Sequence, residues 1–123
     1  MRVVLDSNIL IDYLRGHEQA ATEMARYTDA RISIVTWMEV LVGARDDDEE
    51  IRIREYLSSF TLVDLTSSVA LAAVEIRRVH GIKLPDAIVW ASARDLGCLL
   101  VTRNAHDFPV DEPDVRIPYV LEA

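Results

Sequence analysis

Four acidic residues stand at separated positions where predicted strands end or predicted helices begin. They are Asp6, Glu39, Asp86 and Asp107. Two like charges about 4 Å apart repel each other by roughly 4 kcal/mol at an effective dielectric near 20, so several carboxylates in one cleft must bind either protons or a cation. If the fold brings these four side chains together, the chain is a candidate metal-dependent enzyme.

The ligand types indicate which metal this would be. Carboxylate oxygens suit Mg²⁺ or Mn²⁺. Cys98 is the only cysteine, which excludes a thiolate zinc site, and His17, His80 and His106 share no metal-ligand spacing. A magnesium ion held by one or two carboxylates keeps open positions for a phosphate oxygen and an attacking water. The acids therefore favour hydrolysis of a phosphodiester, with either one ion or two.

The elements that would position these acids follow from hydrophobic periodicity and from capping residues. Alternating strands and helices predict an α/β fold in which a mainly parallel sheet lies between helical layers. In such folds ligands bind beyond the carboxyl ends of the strands, where the strand order reverses. The predicted strands are 2–5, 31–35, 61–65, 98–101 and 115–120. The predicted helices are 9–15, 18–27, a segment from residue 36, 46–59, a segment that Thr66 or Ser67 caps and that ends at Gly81, and 85–96.

Local signals set the predicted ends of these helices. Thr36 is expected to cap a helix that carries Glu39 at its third position, as in a capping box. Gly81 and Gly97 are expected just beyond the ends of two later helices, and Pro85 suits the first turn of the helix that carries Asp86. On this interpretation Asp6, Glu39 and the loop to Asp107 follow strands directly, while Asp86 opens a helix.

Size and composition predict one globular domain, residues 1–123. Half of the residues are hydrophobic and 28% are charged. There is no signal-peptide pattern, and no apolar run approaches the roughly 20 residues that span a bilayer, so we expect a cytoplasmic protein with no membrane partner. The net charge of -8 argues against broad phosphate neutralisation, so a nucleic-acid substrate would need a metal and local basic residues. The candidates are Arg15, Arg45, Lys83 and Arg103.

Four segments together resemble the PIN-domain ribonucleases, and in particular the VapC toxins of type II toxin–antitoxin systems. Each motif alone is weak, but together they cover nearly the whole chain. They are Leu5-Asp6-Ser7-Asn8-Ile9-Leu10-Ile11-Asp12-Tyr13-Leu14, Thr36 to Glu39, Leu84-Pro85-Asp86-Ala87, and Leu100-Val101-Thr102-Arg103-Asn104 with Asp107-Phe108.

The resemblance implies a three-layer α/β/α sandwich and Mg²⁺-dependent endonucleolytic cleavage of RNA. It also implies inhibition by a VapB-like antitoxin and assembly as a homodimer. Asp6 and Asp86 match the most dependable metal ligands of the family, with Glu39 assisting. It further favours a site role for Asn8, which is otherwise a plausible helix cap.

The fourth position of the site is contested. Some relatives have an acid where this chain has Asn104, and others use the acid three residues later, which is Asp107 here. An amide oxygen can ligate a hard cation but carries no charge, so Asp107 is the favoured metal ligand and Asn104 stays a substrate-binding candidate. Thr102, at a strand end, is a further candidate for binding substrate, or else only terminates its strand.

Three other functions compete with this one. An aspartyl-phosphate phosphatase would need a second acid where this chain has Asn8. A receiver-like signalling domain would use an acid after the third strand, which Asp64 fits loosely, but it also requires an acid pair after the first strand. A catalytically silent PIN-like module would only bind partners.

Apolar residues on the early helices are expected either to pack in the core or to form a groove for an antitoxin segment; they are Ile11, Tyr13, Leu14, Met24 and Tyr27.

Overall fold

Five parallel strands form one sheet with the first strand at its centre. The computed structural model describes residues 1–121. The strands are β1 (Arg2–Leu5), β2 (Asp29–Ser33), β3 (Thr61–Val63), β4 (Leu99–Val101) and β5 (Val115–Arg116). The helices are α1 (Ser7–Leu14), α2 (Glu18–Met24), α3 (Ile34–Leu41), α4 (Asp47–Leu57), α5 (Ser67–His80) and α6 (Leu84–Leu96).

The strand order is β3-β2-β1-β4-β5, and every neighbouring pair is parallel. The chain therefore builds outwards from β1 to β2 and β3 on one side, then crosses to β4 and β5 on the other. The order reverses between β1 and β4, where Leu5 is paired with Val101. Ligands of open α/β sheets bind at such a reversal. The order also argues against a receiver-like domain, whose third strand lies next to the first.

Alternation of side chains along the strands divides the core into two parts. Val4 and Leu100 face helices α5 and α6, while Val3, Leu5 and Val101 face the opposite layer. That opposite layer contributes Ile9 and Leu10 of α1, Val40 of α3 and Leu57 of α4. Because successive strand residues point to opposite faces, both faces of the sheet are covered by helices. The predicted α/β/α sandwich is confirmed.

Local capping chemistry accounts for most helix ends. Thr66 accepts a hydrogen bond from the backbone N–H of Val69, and Gly81 ends α5 with a φ of 70°. Gly97 ends α6 in the same left-handed conformation, which side chains other than glycine rarely adopt. Pro85 lies in the first turn of α6, as expected. These ends agree with the predictions from sequence.

The junction between β2 and α3 differs from the prediction. The strand ends at Ser33, whose Oγ accepts a hydrogen bond from the N–H of Val35 at 3.1 Å and caps the helix. Thr36 is therefore inside α3, and Glu39 lies in its second turn rather than in a capping box. The error arises because Ile34 and Val35 are β-branched, a strand preference that the serine cap overrides.

The last strand is shorter than expected. β5 covers only Val115–Arg116 instead of the predicted 115–120, and the segment that contains Pro118 leaves the sheet. Proline has no N–H to donate to a ladder, so the pairing with β4 ends before it. Among residues 1–121, no helix has the length and apolar character needed to span a membrane.

Candidate functional site

Asp6 lies at the centre of the carboxyl edge of the sheet. It directly follows β1, its backbone N–H donates to the carbonyl of Val101 at 2.9 Å, and its side chain caps α1. This places a carboxylate at the reversal of strand order, between the ends of β1 and β4. The side chain is almost fully buried, with 4% exposure.

Both oxygens of the Asp6 carboxylate are held by neighbouring groups. Oδ1 accepts a hydrogen bond from the N–H of Ser7 at 2.8 Å. Oδ2 accepts a hydrogen bond from the hydroxyl of Thr102 at 2.8 Å and a longer one from the amide of Asn8 at 3.4 Å. Thr102 is fully buried at the end of β4. Its hydroxyl also accepts from Nδ2 of Asn8 at 3.2 Å and from the N–H of Asn104 at 3.1 Å.

Burial perturbs the acidity of Asp6. The pKa of the carboxyl group is raised from its ordinary value of 3.8 to about 6; loss of hydration is the largest cause, and the charges on Asp86 and Glu39 contribute to the rise. The hydrogen bonds from Thr102 and from the N–H of Ser7 favour the ionised form and oppose this rise. A carboxylate that is costly to ionise and is fixed by several donors is an unusual feature for a purely structural residue.

Glu39 and Asp86 face Asp6 from helices α3 and α6. Loss of hydration raises the pKa of Glu39, with a contribution from the charge of Asp86, while the polar side chain of Ser7 partly opposes the rise. The pKa of Asp86 is raised first by loss of hydration and then by the charge of Asp107, and Lys83 lowers it. Each of these acids therefore affects the pKa of another or has its own pKa affected, and together they form one electrostatic cluster: Asp6, Glu39, Asp86 and Asp107.

The loop after β4 supplies the fourth acid. The side chain of Asn104 donates from Nδ2 to Oδ2 of Asp107 at 2.7 Å, and its Oδ1 accepts from the N–H of Asp107 at 3.1 Å. The carbonyl of Asn104 accepts from the N–H of Phe108, which is buried in the core. Asn104 thus closes a tight turn that orients the Asp107 carboxylate.

These acids have no cationic partner of their own. Within residues 1–121, none of the four forms an ion pair with a side chain. In the same part of the chain, no three histidine, cysteine or acidic side chains are close enough to enclose a metal ion by themselves. A hydrated Mg²⁺ needs only one or two carboxylates, with water filling its other positions, so the uncompensated acids fit such an ion.

One buried polar atom near this cluster is also unsatisfied. Thr36 lies one helical turn before Glu39 and is fully buried, yet its hydroxyl oxygen has no hydrogen-bond partner among the described residues. Buried polar atoms without partners are uncommon in native proteins and are often found where a water or ligand completes the structure.

The basic residues proposed from the sequence do not all lie free at this site. Arg103 is bound to the buried Asp12, and Arg45 pairs with Glu49. Arg15 lines a groove of about 720 Å³ that also contains Glu39, and Lys83 lies close enough to Asp86 to lower the pKa of that acid. Asp12 accepts two of the hydrogen bonds that the Arg103 guanidinium can donate, so a phosphate contact by Arg103 stays a prediction from the sequence.

Sequence reasoning missed the role of Ser7 and the partners of Asp12. Ser7 follows Asp6 directly, so its position at a strand-to-helix junction next to a buried acid was the available signal. Asp12 lies on α1 and is buried with 1% exposure. Its partners lie 91 and 107 residues further along the chain, a distance that no local pattern reveals.

Comparison with known proteins gives consistent results. A family model described as PIN domain matches residues 3–110. A structure of a toxin–antitoxin complex from Klebsiella pneumoniae contains a chain 38% identical to this one, with a TM-score of 0.91 over 97% of this chain and 99% of that chain. A search of curated proteins gave no match.

More distant structures share the fold. A chain of VapBC2 from Rickettsia felis, bound to a DNA fragment from its promoter, has 19% identity and a TM-score of 0.78 over 99% of this chain and 98% of that chain. FitAcB from Neisseria gonorrhoeae has 20% identity and a TM-score of 0.76 over 97% and 99%. At these identities the similarity concerns the fold alone.

Proposed function

This chain belongs to the PIN-domain family, and we propose that it is the toxin of a VapBC-type toxin–antitoxin pair, a Mg²⁺- or Mn²⁺-dependent endoribonuclease. The observation that carries the proposal is the cluster of Asp6, Glu39, Asp86 and Asp107 at the reversal of strand order, none of which forms an ion pair among the described residues. Hydrolysis of RNA phosphodiester bonds is the reaction that such a set of acids supports best.

The proposed metal site is formed by these four acids, of which one or two would contact a hydrated Mg²⁺ directly and the others through its water molecules. A bound Mg²⁺ or Mn²⁺ supplies a Lewis acid for a phosphate oxygen and a means of ionising water. The protein contributes orientation, because Thr102 and the N–H of Ser7 fix both oxygens of Asp6. It also contributes proton acceptors, because carboxylates with a raised pKa take up a proton more readily near neutral pH.

We propose Asp107 rather than Asn104 for the contested fourth position. Asn104 uses both its amide oxygen and its amide nitrogen to hold Asp107, which supports a positioning role for the amide. The remaining oxygen of Asp107 has a charge to offer to a cation. Asn8 and Thr102 are proposed to border the substrate, although both also support Asp6 directly.

The decisive experiment is cleavage of structured RNA by the purified chain with Mg²⁺ or Mn²⁺ and with an EDTA control. We expect Asp6→Asn and Asp86→Asn to lower cleavage by at least about a hundredfold, because each removes a charge that holds the cation. Asp64→Asn is the matched control: Asp64 is an exposed acid that also follows a strand. Cleavage by Asp6→Asn or Asp86→Asn at the wild-type rate would reject the proposed site.

An antitoxin partner is part of the same proposal. The groove that contains Glu39 has an apolar floor of Ile11, Leu14, Val40 and Ile53 with an arginine-rich rim, which suits a peptide segment. Of the early apolar residues, Ile11 and Leu14 line it, Tyr13 stacks on Tyr56, and Met24 and Tyr27 pack against the core. The Klebsiella pneumoniae chain that is 38% identical to this one comes from a toxin–antitoxin complex, which supports the proposal of an antitoxin partner.

Co-expression with the neighbouring reading frame tests the partner and the assembly state together. We expect a small protein to co-purify and to suppress RNA cleavage, and we propose that the toxin chain is itself a homodimer, as the family resemblance implies. Light scattering of the isolated chain measures the second point. Repeated isolation of the chain alone, with no change in its activity, would count against an antitoxin encoded there.

A further inference from the structure

A buried ion pair joins α1 to the loop after β4. The guanidinium of Arg103 makes two parallel hydrogen bonds to the carboxylate of Asp12, from Nε to Oδ2 at 2.5 Å and from one terminal nitrogen to Oδ1 at 3.1 Å. The hydroxyl of Tyr119 adds a third hydrogen bond to Oδ2 at 2.8 Å. The side chain of Asp12 is 1% exposed and that of Arg103 is 33% exposed.

This pair is connected to the candidate site through the backbone of Arg103. The N–H of Arg103 donates to Oδ1 of Asn8 at 3.0 Å. The amide nitrogen of Asn8 donates in turn to the Thr102 hydroxyl and to Asp6. Arg103 also stands between Thr102 and Asn104, the two residues that hold Asp6 and Asp107. One side-chain contact with Asp12 therefore fixes the segment on which both acids depend.

We propose that Asp12 and Arg103 are positioning residues for the acidic site, an inference that rests on the function proposed above. The ion pair holds the backbone of residues 102–104 against α1, so that Asn8, Thr102 and Asn104 keep their acceptors and donors aimed at Asp6 and Asp107. Neither Asp12 nor Arg103 touches substrate or metal in this role.

Two physical arguments support positioning over other roles. An ion pair with a buried carboxylate is weak evidence for stability, because the cost of desolvating the Asp12 charge offsets much of its attraction to Arg103, so a role in geometry explains its presence better. A bidentate arginine–carboxylate contact also fixes direction as well as distance, which a point charge does not. Residues that orient metal ligands in this way commonly change metal affinity or activity by about 10- to 100-fold when altered.

The chain contains a closely matched control pair. Arg116 makes two hydrogen bonds to the buried carboxylate of Glu23, at 2.8 and 3.0 Å, and Tyr27 also donates to that carboxylate. The exposures of the two side chains, 33% and 5%, nearly equal those of the Arg103 pair. The backbone carbonyl of Arg116 accepts a hydrogen bond from the N–H of Thr102, but its guanidinium is bound to Glu23 of α2.

The test compares Arg103→Lys with Arg116→Lys, because each substitution keeps the positive charge and removes the bidentate hydrogen bonding to the carboxylate. We measure Mn²⁺ binding by electron paramagnetic resonance, amide hydrogen exchange at Arg103 and Asn104, and the steady-state kinetics of RNA cleavage. For Arg103→Lys we expect Mn²⁺ binding about tenfold weaker, faster exchange at both amides, and a lower kcat with KM for RNA nearly unchanged. For Arg116→Lys we expect wild-type Mn²⁺ binding despite a similar loss of stability in urea.

Other outcomes would overturn the inference. Equal Mn²⁺ affinity and equal amide exchange in the two variants would assign Arg103 a structural role only, and a rise in KM for RNA with unchanged Mn²⁺ binding would make it a substrate contact. If Arg103→Lys does not fold, Asp12→Asn against Glu23→Gln makes the same comparison. If wild-type protein cuts no RNA, the proposed function fails, while Mn²⁺ binding and amide exchange still decide this inference.

Discussion

Asp6 combines burial with the most strongly perturbed acidity in the candidate site. Its pKa of about 6 lies above its unfolded value of 3.8, so the folded state binds a proton more readily than the unfolded state does between these values. Burial of the ionised carboxyl therefore opposes folding at pH values above about 6, by roughly 3 kcal/mol at most, and this penalty fades as pH falls towards 4. The ionised form of Asp6 is thus maintained at a cost in stability.

The pH dependence of unfolding should isolate this cost. In EDTA at pH 7.5 we expect Asp6→Asn to be more stable than wild type by about 1–3 kcal/mol, because the neutral amide has no charge to desolvate. The advantage should shrink as pH falls to 4.5, where the wild-type carboxyl is protonated. Urea unfolding at several pH values measures both, with the exposed Asp64→Asn as control. A difference that does not vary with pH would contradict the assignment.

Thr102 is the residue on which most hydrogen bonds of the site converge. We expect Thr102→Val to reduce the free energy of unfolding by about 1–3 kcal/mol, because the donors of Asn8 and Asn104 lose their acceptor in a buried place. Its Mn²⁺ affinity should also fall, because Asp6 loses a donor that favours its ionised form. Thr102→Ser keeps the hydroxyl and should retain Mn²⁺ binding. Equal behaviour of the two variants would reduce Thr102 to a packing residue.

At the scale of elements, the start of α3 determines where Glu39 points. Ser33 caps this helix through a buried hydroxyl, whereas the hydroxyl of Thr36 has no partner among the described residues. The helix therefore begins three residues earlier than a Thr36 cap would imply. Glu39 reaches the cleft from the second turn of a helix and not from a strand end.

Two substitutions distinguish these starts. We expect Ser33→Ala to cost about 1 kcal/mol in urea unfolding, because it removes the cap. Thr36→Val should be neutral or stabilising, because valine matches the shape of threonine and removes an unsatisfied buried hydroxyl. If Thr36→Val were the more damaging change, the capping box expected from the sequence would regain support.

These elements also show what can be read from sequence and what cannot. Gly81, Pro85 and Gly97 were placed correctly because their effect on the backbone is confined to a few neighbouring residues. The start of α3 was misplaced because two β-branched residues mimic a strand, and only tertiary packing decides between the alternatives. The position of Asp6 was predicted, but its hydrogen bonds with Thr102 and the pairing of Arg103 with Asp12 join segments more than 90 residues apart.

For the whole molecule, charge bears on how RNA would be bound. The chain has 21 aspartate and glutamate residues against 13 lysine and arginine residues, and several of the arginines are already paired with acids. Few are left to neutralise phosphates by direct contact. Association with RNA should therefore depend less on counterion release than it does for basic nucleases.

The salt dependence of cleavage tests this expectation. At constant free Mg²⁺ we expect KM for RNA to change by less than about threefold between 50 and 200 mM KCl, whereas a protein with many phosphate contacts loses about a thousandfold in affinity over that range. Arg15→Gln, in the groove beside Glu39, should raise KM at both salt concentrations if this arginine contacts a phosphate. A steep salt dependence would instead indicate an extensive basic contact surface.

The contact between Thr102 and Asp6 has a consequence for biosynthesis. The hydroxyl that holds the central carboxylate belongs to a residue 96 positions later, and the strand that carries it pairs directly with β1. A nascent chain on the ribosome therefore has no assembled cleft until β4, Leu99–Val101, has emerged. Whatever reaction this cleft performs cannot begin during the early synthesis of the chain, so the order of translation itself delays the activity.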